Sequence, residues 1–76
     1  MTQDRYVELF EQTKLAAEQG DKKAQSLLGA IYCEGSGVAK NYVEAVKWYT
    51  LAAAQGNANA QTALSNMYDD GLGVVH

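Results

Sequence analysis

The sequence predicts an all-α protein built from stacked helical repeats, and two observations lead to this prediction. First, residues 16–38 recur almost in register as residues 52–74, so that Gly20 returns as Gly56, 36 positions further on. A period of this length is typical of proteins whose structural units stack in a row. Second, apolar residues follow three-to-four spacing in four segments, and no segment shows the alternation of a strand.

The composition predicts one small domain without covalent or metal cross-links. The chain has 76 residues, 47% of them hydrophobic, and a net charge of −3. Because Cys33 is the only cysteine and His76 the only histidine, an internal disulfide and a structural zinc site are not expected. No cluster of lysine and arginine is present to meet phosphate groups, which argues against nucleic-acid and membrane partners.

The beginning of the chain is polar, and we expect a cytoplasmic protein. Met1–Arg5 is not followed by the apolar segment of a secretory signal. No apolar run approaches the length of a membrane span. A mature exported chain that has lost its signal is the alternative.

The first helix is predicted from about Asp4 to Gln19. Glycine adopts positive φ without penalty, so Gly20 is expected to end this helix. Its buried face is predicted to consist of Tyr6, Leu9, Phe10, Thr13, Ala16 and Ala17, which follow helical spacing.

The second helix is predicted to begin after Asp21 and to run to about Glu34. The carboxylate of Asp21 can cap the free N–H groups of the first turn. Gly29 lies in the middle of this helix, where glycine costs ~1 kcal/mol relative to alanine, so we expect a close helix crossing there. The apolar positions are Ala24, Leu27, Leu28, Ile31 and Tyr32.

The third and fourth helices are predicted from the same kinds of signal. Asn41 caps the third helix, with Glu44 three residues later as in a capping box, and Gly56 ends it. Asn57 caps the fourth helix, and Gly71 ends it. The apolar positions are Ala45, Val46, Trp48, Tyr49, Leu51, Ala52 and Ala53 in the third helix and Ala60, Leu64, Met67 and Tyr68 in the fourth.

One series of residues spans two helices and the glycine loop between them. It reads Ala24-Gln25-x-x-Leu28-Gly29-x-x-Tyr32-x-x-Gly35-x-Gly37-Val38-x-x-Asn41-Tyr42-x-x-Ala45-x-x-Trp48-Tyr49-x-x-Ala52-Ala53-x-Gln55-Gly56. This series resembles the Sel-one-like repeat (SLR), a relative of the tetratricopeptide repeat (TPR), over nearly the whole chain. The resemblance implies an α/α solenoid whose units pair a helix A with a helix B. It also implies an adaptor or scaffold in protein complexes, and a bacterial source.

The resemblance implies that the four helices follow the order B-A-B-A within a single domain, residues 1–76. Residues 3–20 then form a B-type N-terminal cap helix, residues 21–56 form one complete repeat, and residues 57–76 form a partial repeat that lacks its B helix. The first helix departs from the pattern, with Leu9 in place of alanine and Thr13 in place of tyrosine. Such divergence suits a terminal cap.

The fourth helix is predicted to leave one apolar face uncovered, because no B helix follows it in this sequence. We call this surface the C-terminal face; its residues are Leu64, Met67, Tyr68, Leu72, Val74 and Val75. An exposed apolar patch usually marks an interaction site. Three explanations stay open: self-association into a homo-oligomer, a longer repeat array of which this chain is a part, and a partner protein that supplies the cover.

The resemblance also implies a concave surface lined by the A helices, which we call the concave groove. Its predicted lining is Lys23, Ser26, Ala30, Cys33, Asn59, Thr62, Asn66 and Asp69, while Leu28, Tyr32, Leu64 and Tyr68 are expected inside the stack. Amide and hydroxyl groups can bond a peptide backbone, so a protein or peptide partner is the expected ligand. The same residue types are also ordinary choices for a solvent-facing surface.

No residue pattern predicts an enzyme, a cofactor or a metal. The Gly-x-Gly loops follow helices, and no Gly-Lys-Ser/Thr is present, so they do not fit a phosphate loop. Asp69 and Asp70 are adjacent, so their side chains point about 100° apart on a helix, and the closing glutamate of a calcium loop is missing. Cys33 has no basic neighbour in sequence to lower its pKa, so a partly buried, inert thiol is expected.

The sequence therefore predicts a protein–protein interaction module that binds through the concave groove or the C-terminal face. A small inhibitor or immunity-type protein and a structural repeat fragment with no partner are the alternatives. Some cysteine-rich relatives pair cysteines at the positions of Ala17 with Gln25 and of Ala53 with Gln61. This chain has none of those cysteines, which supports a reducing compartment.

Overall fold

Four helices lie side by side in chain order. The computed structural model of the protein describes residues 2–73, with side chains for residues 5–73. Its helices are α1 (Thr2–Glu18), α2 (Lys22–Glu34), α3 (Tyr42–Ala54) and α4 (Ala58–Asp70), and the described residues contain no strand. α2 packs on α1 and α3, and α3 packs on α2 and α4, with α2 also touching α4. The predicted all-α repeat solenoid is confirmed.

Side-chain caps begin three of the helices, as predicted. Asp21 accepts hydrogen bonds from two backbone N–H groups in the first turn of α2, at 2.9 and 3.2 Å. Asn57 caps α4 in the same way, and Asn41 accepts from the N–H of Glu44 at 3.1 Å. The predicted capping box forms only this half, because the N–H of Asn41 already donates to the carbonyl of Tyr32 at 2.9 Å.

Glycines end the helices where the chain turns. Gly35 and Gly71 take the left-handed conformation directly after α2 and α4, with φ of 73° and 69°. Only glycine adopts this conformation without a steric penalty. The first helix differs slightly from the prediction, since it begins at Thr2 and ends at Glu18, within the usual uncertainty of helix ends.

The core lies between α2 and α3 and extends to α4. Trp48 and Tyr49 are each 7% exposed, which confirms their predicted place in the core. Gly29 allows the close crossing that was predicted, because a Cβ atom there would lie 2.8 Å from the ring of Tyr49. The buried cluster consists of Ala17, Leu28, Tyr32, Ala45, Trp48, Tyr49, Ala52, Ala60 and Met67.

The predicted buried face of α1 is only partly correct. Thr13 is buried, and the ring of Phe10 packs edge to face on Tyr32 with centroids 5.6 Å apart. Tyr6 and Leu9 are instead 47% and 42% exposed. The reason is that α1 packs on α2 alone, so the far side of its apolar stripe meets no other described helix.

Two glutamines tie successive helices together, and we call this arrangement the glutamine ladder. Gln25 is buried on α2, and its Nε2 donates to the carbonyl of Ala17 at 3.1 Å. Gln55 follows α3, and its Nε2 donates to Oε1 of Gln25 at 2.8 Å and to the carbonyl of Gly20 at 3.0 Å. A hydrogen bond thus links positions 17 and 25, where the family resemblance implies paired cysteines in some relatives.

Gln25→Ala is expected to lower the free energy of unfolding by about 1–3 kcal/mol, because it leaves buried polar partners unsatisfied. The matched control is Gln61→Ala, 36 residues later, whose side chain is exposed and whose bond to the carbonyl of Ala53 is 3.4 Å long. We expect the control to change stability by less than about 0.5 kcal/mol. Urea unfolding followed by circular dichroism measures both, and equal losses would contradict a special role for Gln25.

Candidate functional site

An open concavity of about 450 Å³ lies between α2 and α4, with α3 as its floor. It is lined by Lys23, Ser26, Leu27 and Ala30 of α2, Tyr49 of α3, and Asn57 and Asn59 at the beginning of α4. The α2 residues share one face because side chains three and four positions apart lie above one another on a helix. This concavity is the structural form of the concave groove.

The structure brings together half of the residues that were predicted to line the groove. Lys23, Ser26, Ala30 and Asn59 line the concavity. The other predicted residues of α4, namely Thr62, Asn66 and Asp69, are exposed but do not line it. Cys33 does not line it either, since its half-buried thiol packs against the core.

Three residues of the groove were not in the predicted set. Leu27 was counted only among the apolar positions of its helix, but it is 45% exposed in the groove. Its spacing from Lys23 and Ala30 was the available signal. Asn57 was interpreted only as a cap and Tyr49 only as a core residue, yet each serves the groove as well.

The groove combines an apolar wall with hydrogen-bond donors and one positive charge. Leu27, Ala30 and the ring of Tyr49 supply the apolar surface, and Lys23 supplies the charge. The cap uses only Oδ1 of Asn57, at 2.9 Å from the N–H of Ala60, and no described residue accepts from its Nδ2. No carboxylate is among the lining residues, so this surface is locally positive on a chain of net charge −3.

A chain of side-chain contacts below the groove links three helices. The hydroxyl of Tyr49 (α3) bonds the thiol of Cys33 (α2), and that thiol lies 3.9 Å from Sδ of Met67 (α4). Burial, together with the neighbouring Cys33, raises the pKa of Tyr49 to about 12. Burial also raises the pKa of Cys33, and the bond from Tyr49 only partly opposes this effect. Both groups are therefore neutral at neutral pH, and the thiol lacks the character of a reactive nucleophile.

The described residues offer no arrangement suited to metal binding. Within the range 2–73, His, Cys, Asp and Glu side chains nowhere gather in threes. Among the helices of this range, none is long and apolar enough to cross a membrane.

The C-terminal face is smaller than predicted. Met67 is only 5% exposed and faces Cys33, so its inclusion in an exposed patch is wrong. Leu64 and Leu72 are half-buried against the core. Val74 and Val75 lie outside the described residues.

The internal repeat shows what a B helix does for an A helix. On α2, which α3 covers, Leu28 is fully buried and Tyr32 is 8% exposed. Their counterparts 36 residues later, Leu64 and Tyr68, are half-buried and 51% exposed. The expectation that Tyr68 lies inside the stack is therefore wrong, because no described helix packs on that side of α4.

Comparisons with known proteins agree with the resemblance drawn from the sequence. The Sel1 repeat family model matches residues 22–57 and 58–75. A protective antigen present in uropathogenic Escherichia coli strains, which displays an SLR fold, is 45% identical over 91% of this chain, with a TM-score of 0.89. A Sel1 repeat protein from Oxalobacter formigenes is 45% identical over 86% of this chain, with a TM-score of 0.83.

The matched structures are much longer than this chain, which spans 15% of the first and 27% of the second. No curated protein matches the sequence significantly. The family model nevertheless covers well over half of the residues, in two successive matches. This chain belongs to the Sel1 repeat family.

Proposed function

We propose that this chain is a protein–protein interaction module that holds an extended peptide segment of a partner protein in the concave groove. Sel1 repeat proteins generally mediate protein–protein interactions. The observation that carries the proposal for this chain is the groove between α2 and α4, where Lys23 stands beside an exposed apolar wall and no carboxylate is present. The role is that of an adaptor, and the proposal includes no catalytic step.

The lining residues favour a particular kind of peptide. An apolar side chain fits against Leu27, Ala30 and Tyr49, and a carboxylate on the same peptide can pair with the ammonium group of Lys23. Nδ2 of Asn57 is positioned to donate to a peptide carbonyl. The groove is short and open, so we expect a dissociation constant in the micromolar range, as for small transient interfaces.

The residues that replace the cysteines of some relatives support a location for this function. Alanine and glutamine occupy the positions of the two cysteine pairs, at Ala17, Gln25, Ala53 and Gln61. Gln25 makes hydrogen bonds there that need no oxidising compartment. We therefore place the interaction module in the cytoplasm.

A displayed library of random peptides tests the groove directly. Peptides selected on the parent chain are measured against Lys23→Glu/Leu27→Ala, which reverses the charge and removes the apolar wall. The matched control is Lys47→Glu/Leu51→Ala, which changes the same residue types at the same spacing on exposed positions of α3. Thermal melting verifies that all three proteins fold.

We expect the groove variant to bind the selected peptides at least tenfold more weakly, and the control to bind like the parent. A tenfold change corresponds to about 1.4 kcal/mol, which is a modest demand on two contact residues. The proposal is wrong if the selected peptides bind the groove variant and the parent equally. A library that yields no specific peptide contradicts it as well.

A further inference from the structure

The two ends of the helix row are complementary according to the repeat of the chain itself. Residues 36 positions apart, which we call register mates, make α1 the mate of α3 and α4 the mate of α2. Within the chain, α3 packs on α2. We propose that copies of this chain associate head to tail, with α1 of one copy packing on α4 of the next as α3 packs on α2. This inference specifies an occupant for the C-terminal face and does not depend on peptide binding in the groove.

The apolar residues that remain open at the two ends are mates of residues that the internal contact buries. Tyr68 is 51% exposed on α4, whereas its mate Tyr32 is 8% exposed on α2. Leu9 is 42% exposed on α1, whereas its mate Ala45 is fully buried on α3. Docking α1 on α4 would cover both positions in one step.

The sizes of the mates are compatible with the same helix crossing. Inside the chain, Gly29 leaves room for the ring of Tyr49, which is the closest approach between α2 and α3. Their mates at the proposed contact are Ser65 and Thr13. A very small and a very large residue are thus replaced by two of intermediate size, and volume-conserving exchanges of this kind are tolerated in packed interfaces.

The glutamine ladder explains why a second copy is a better occupant than an unrelated helix. In the chain, Gln55 donates to Oε1 of Gln25 and to the carbonyl of Gly20. The mates of these groups are Gln19 as donor, and Oε1 of Gln61 and the carbonyl of Gly56 as acceptors.

Across residues 5–73, no hydrogen bond engages the side chain of Gln19 or Oε1 of Gln61. Any amphipathic helix can cover an apolar face, but α1 of a second copy also brings Gln19 to these acceptors. A contact between two α4 helices would leave the Gln19 donor unused. The ladder thus favours the head-to-tail arrangement over a symmetric dimer.

A head-to-tail contact leaves one open α1 and one open α4 on every assembly. Heterologous interfaces that do not close into a ring continue to add subunits. We therefore expect the average mass in solution to rise with concentration through dimers and trimers. Sedimentation velocity on the chain over a wide range of concentrations gives this distribution.

Two variants that each block one end provide a sharp test. Leu9→Glu blocks the α1 end, and Tyr68→Glu blocks the α4 end, both at half-exposed positions where the fold should survive. Each variant alone is expected to be monomeric. A mixture of the two should form a dimer that contains one copy of each and does not grow, which native mass spectrometry identifies.

Leu15→Glu is the matched control on α1. Its register mate Leu51 remains 42% exposed on α3, although α3 is packed on both sides, so position 15 lies outside the proposed contact. The control should assemble like the parent.

The proposal is overturned if the parent is monomeric at every concentration, or if its mass stops at a dimer. It is also overturned if Leu9→Glu assembles like the parent, since a symmetric contact through α4 would then be responsible. Peptide binding to Tyr68→Glu separates this result from the proposed function, because Lys23 and Leu27 lie in the groove and not on the C-terminal face.

Discussion

Trp48→Ala is expected to leave most of the protein unfolded at room temperature. The indole is 7% exposed and belongs to the cluster that joins α2, α3 and α4. Truncation of a buried aromatic residue costs about 3–5 kcal/mol, which equals the whole stability that a core of this size usually provides, about 3–5 kcal/mol. Circular dichroism during a thermal melt measures the loss.

Trp48→Phe is the control for this prediction. The Nε1 group of Trp48 is buried and has no hydrogen-bond partner among the described residues. An unsatisfied buried donor costs about 1–3 kcal/mol, so phenylalanine loses packing but also removes this penalty. We expect a folded variant with a slightly lower melting temperature. A cooperative melt of Trp48→Ala at the temperature of the parent would contradict the place of Trp48 in the core.

Gly29→Val is expected to cost about 3 kcal/mol, at the upper end of the usual penalty for overpacking. A Cβ atom at this position would lie 2.8–2.9 Å from three ring atoms of Tyr49. The ring cannot easily move away, because its hydroxyl is bonded to Cys33 below the groove. Valine would therefore separate α2 from α3, and urea unfolding measures the change.

Ser65→Val is the matched control, at the register mate of Gly29 on α4. The side chain of Ser65 is exposed, so valine meets no neighbouring helix there within the chain. We expect a change of less than about 0.5 kcal/mol in a dilute sample, where copies do not associate. If both variants lost the same stability, the helical preference of valine would explain the result, and the close crossing would not.

Much of this fold can be predicted from the sequence because local chemistry sets it. The 36-residue period places the helices, and Asp21, Asn41 and Asn57 mark where three of them begin. Which apolar side chains become buried depends instead on the neighbours of each helix. Leu9 fits the helical stripe but is exposed, because α1 packs on one helix only.

The candidate site was predictable in part for a related reason. Register within a known repeat selects Lys23, Ser26 and Ala30, since these follow from helical spacing alone. The distance and tilt between α2 and α4 decide whether Leu27 faces the groove and whether Met67 reaches the core, and no pattern in one chain contains this information. Both residues were consequently misplaced.

Isotope-edited nuclear magnetic resonance, recorded while a selected peptide is added to the labelled chain, tests the central claim most directly. The claim is that a partner peptide binds between α2 and α4. We expect the largest chemical-shift changes at Lys23, Leu27 and Asn59, with little change at Tyr68 and Leu72. Changes confined to Tyr68 and Leu72, or absent from the groove altogether, would contradict the claim.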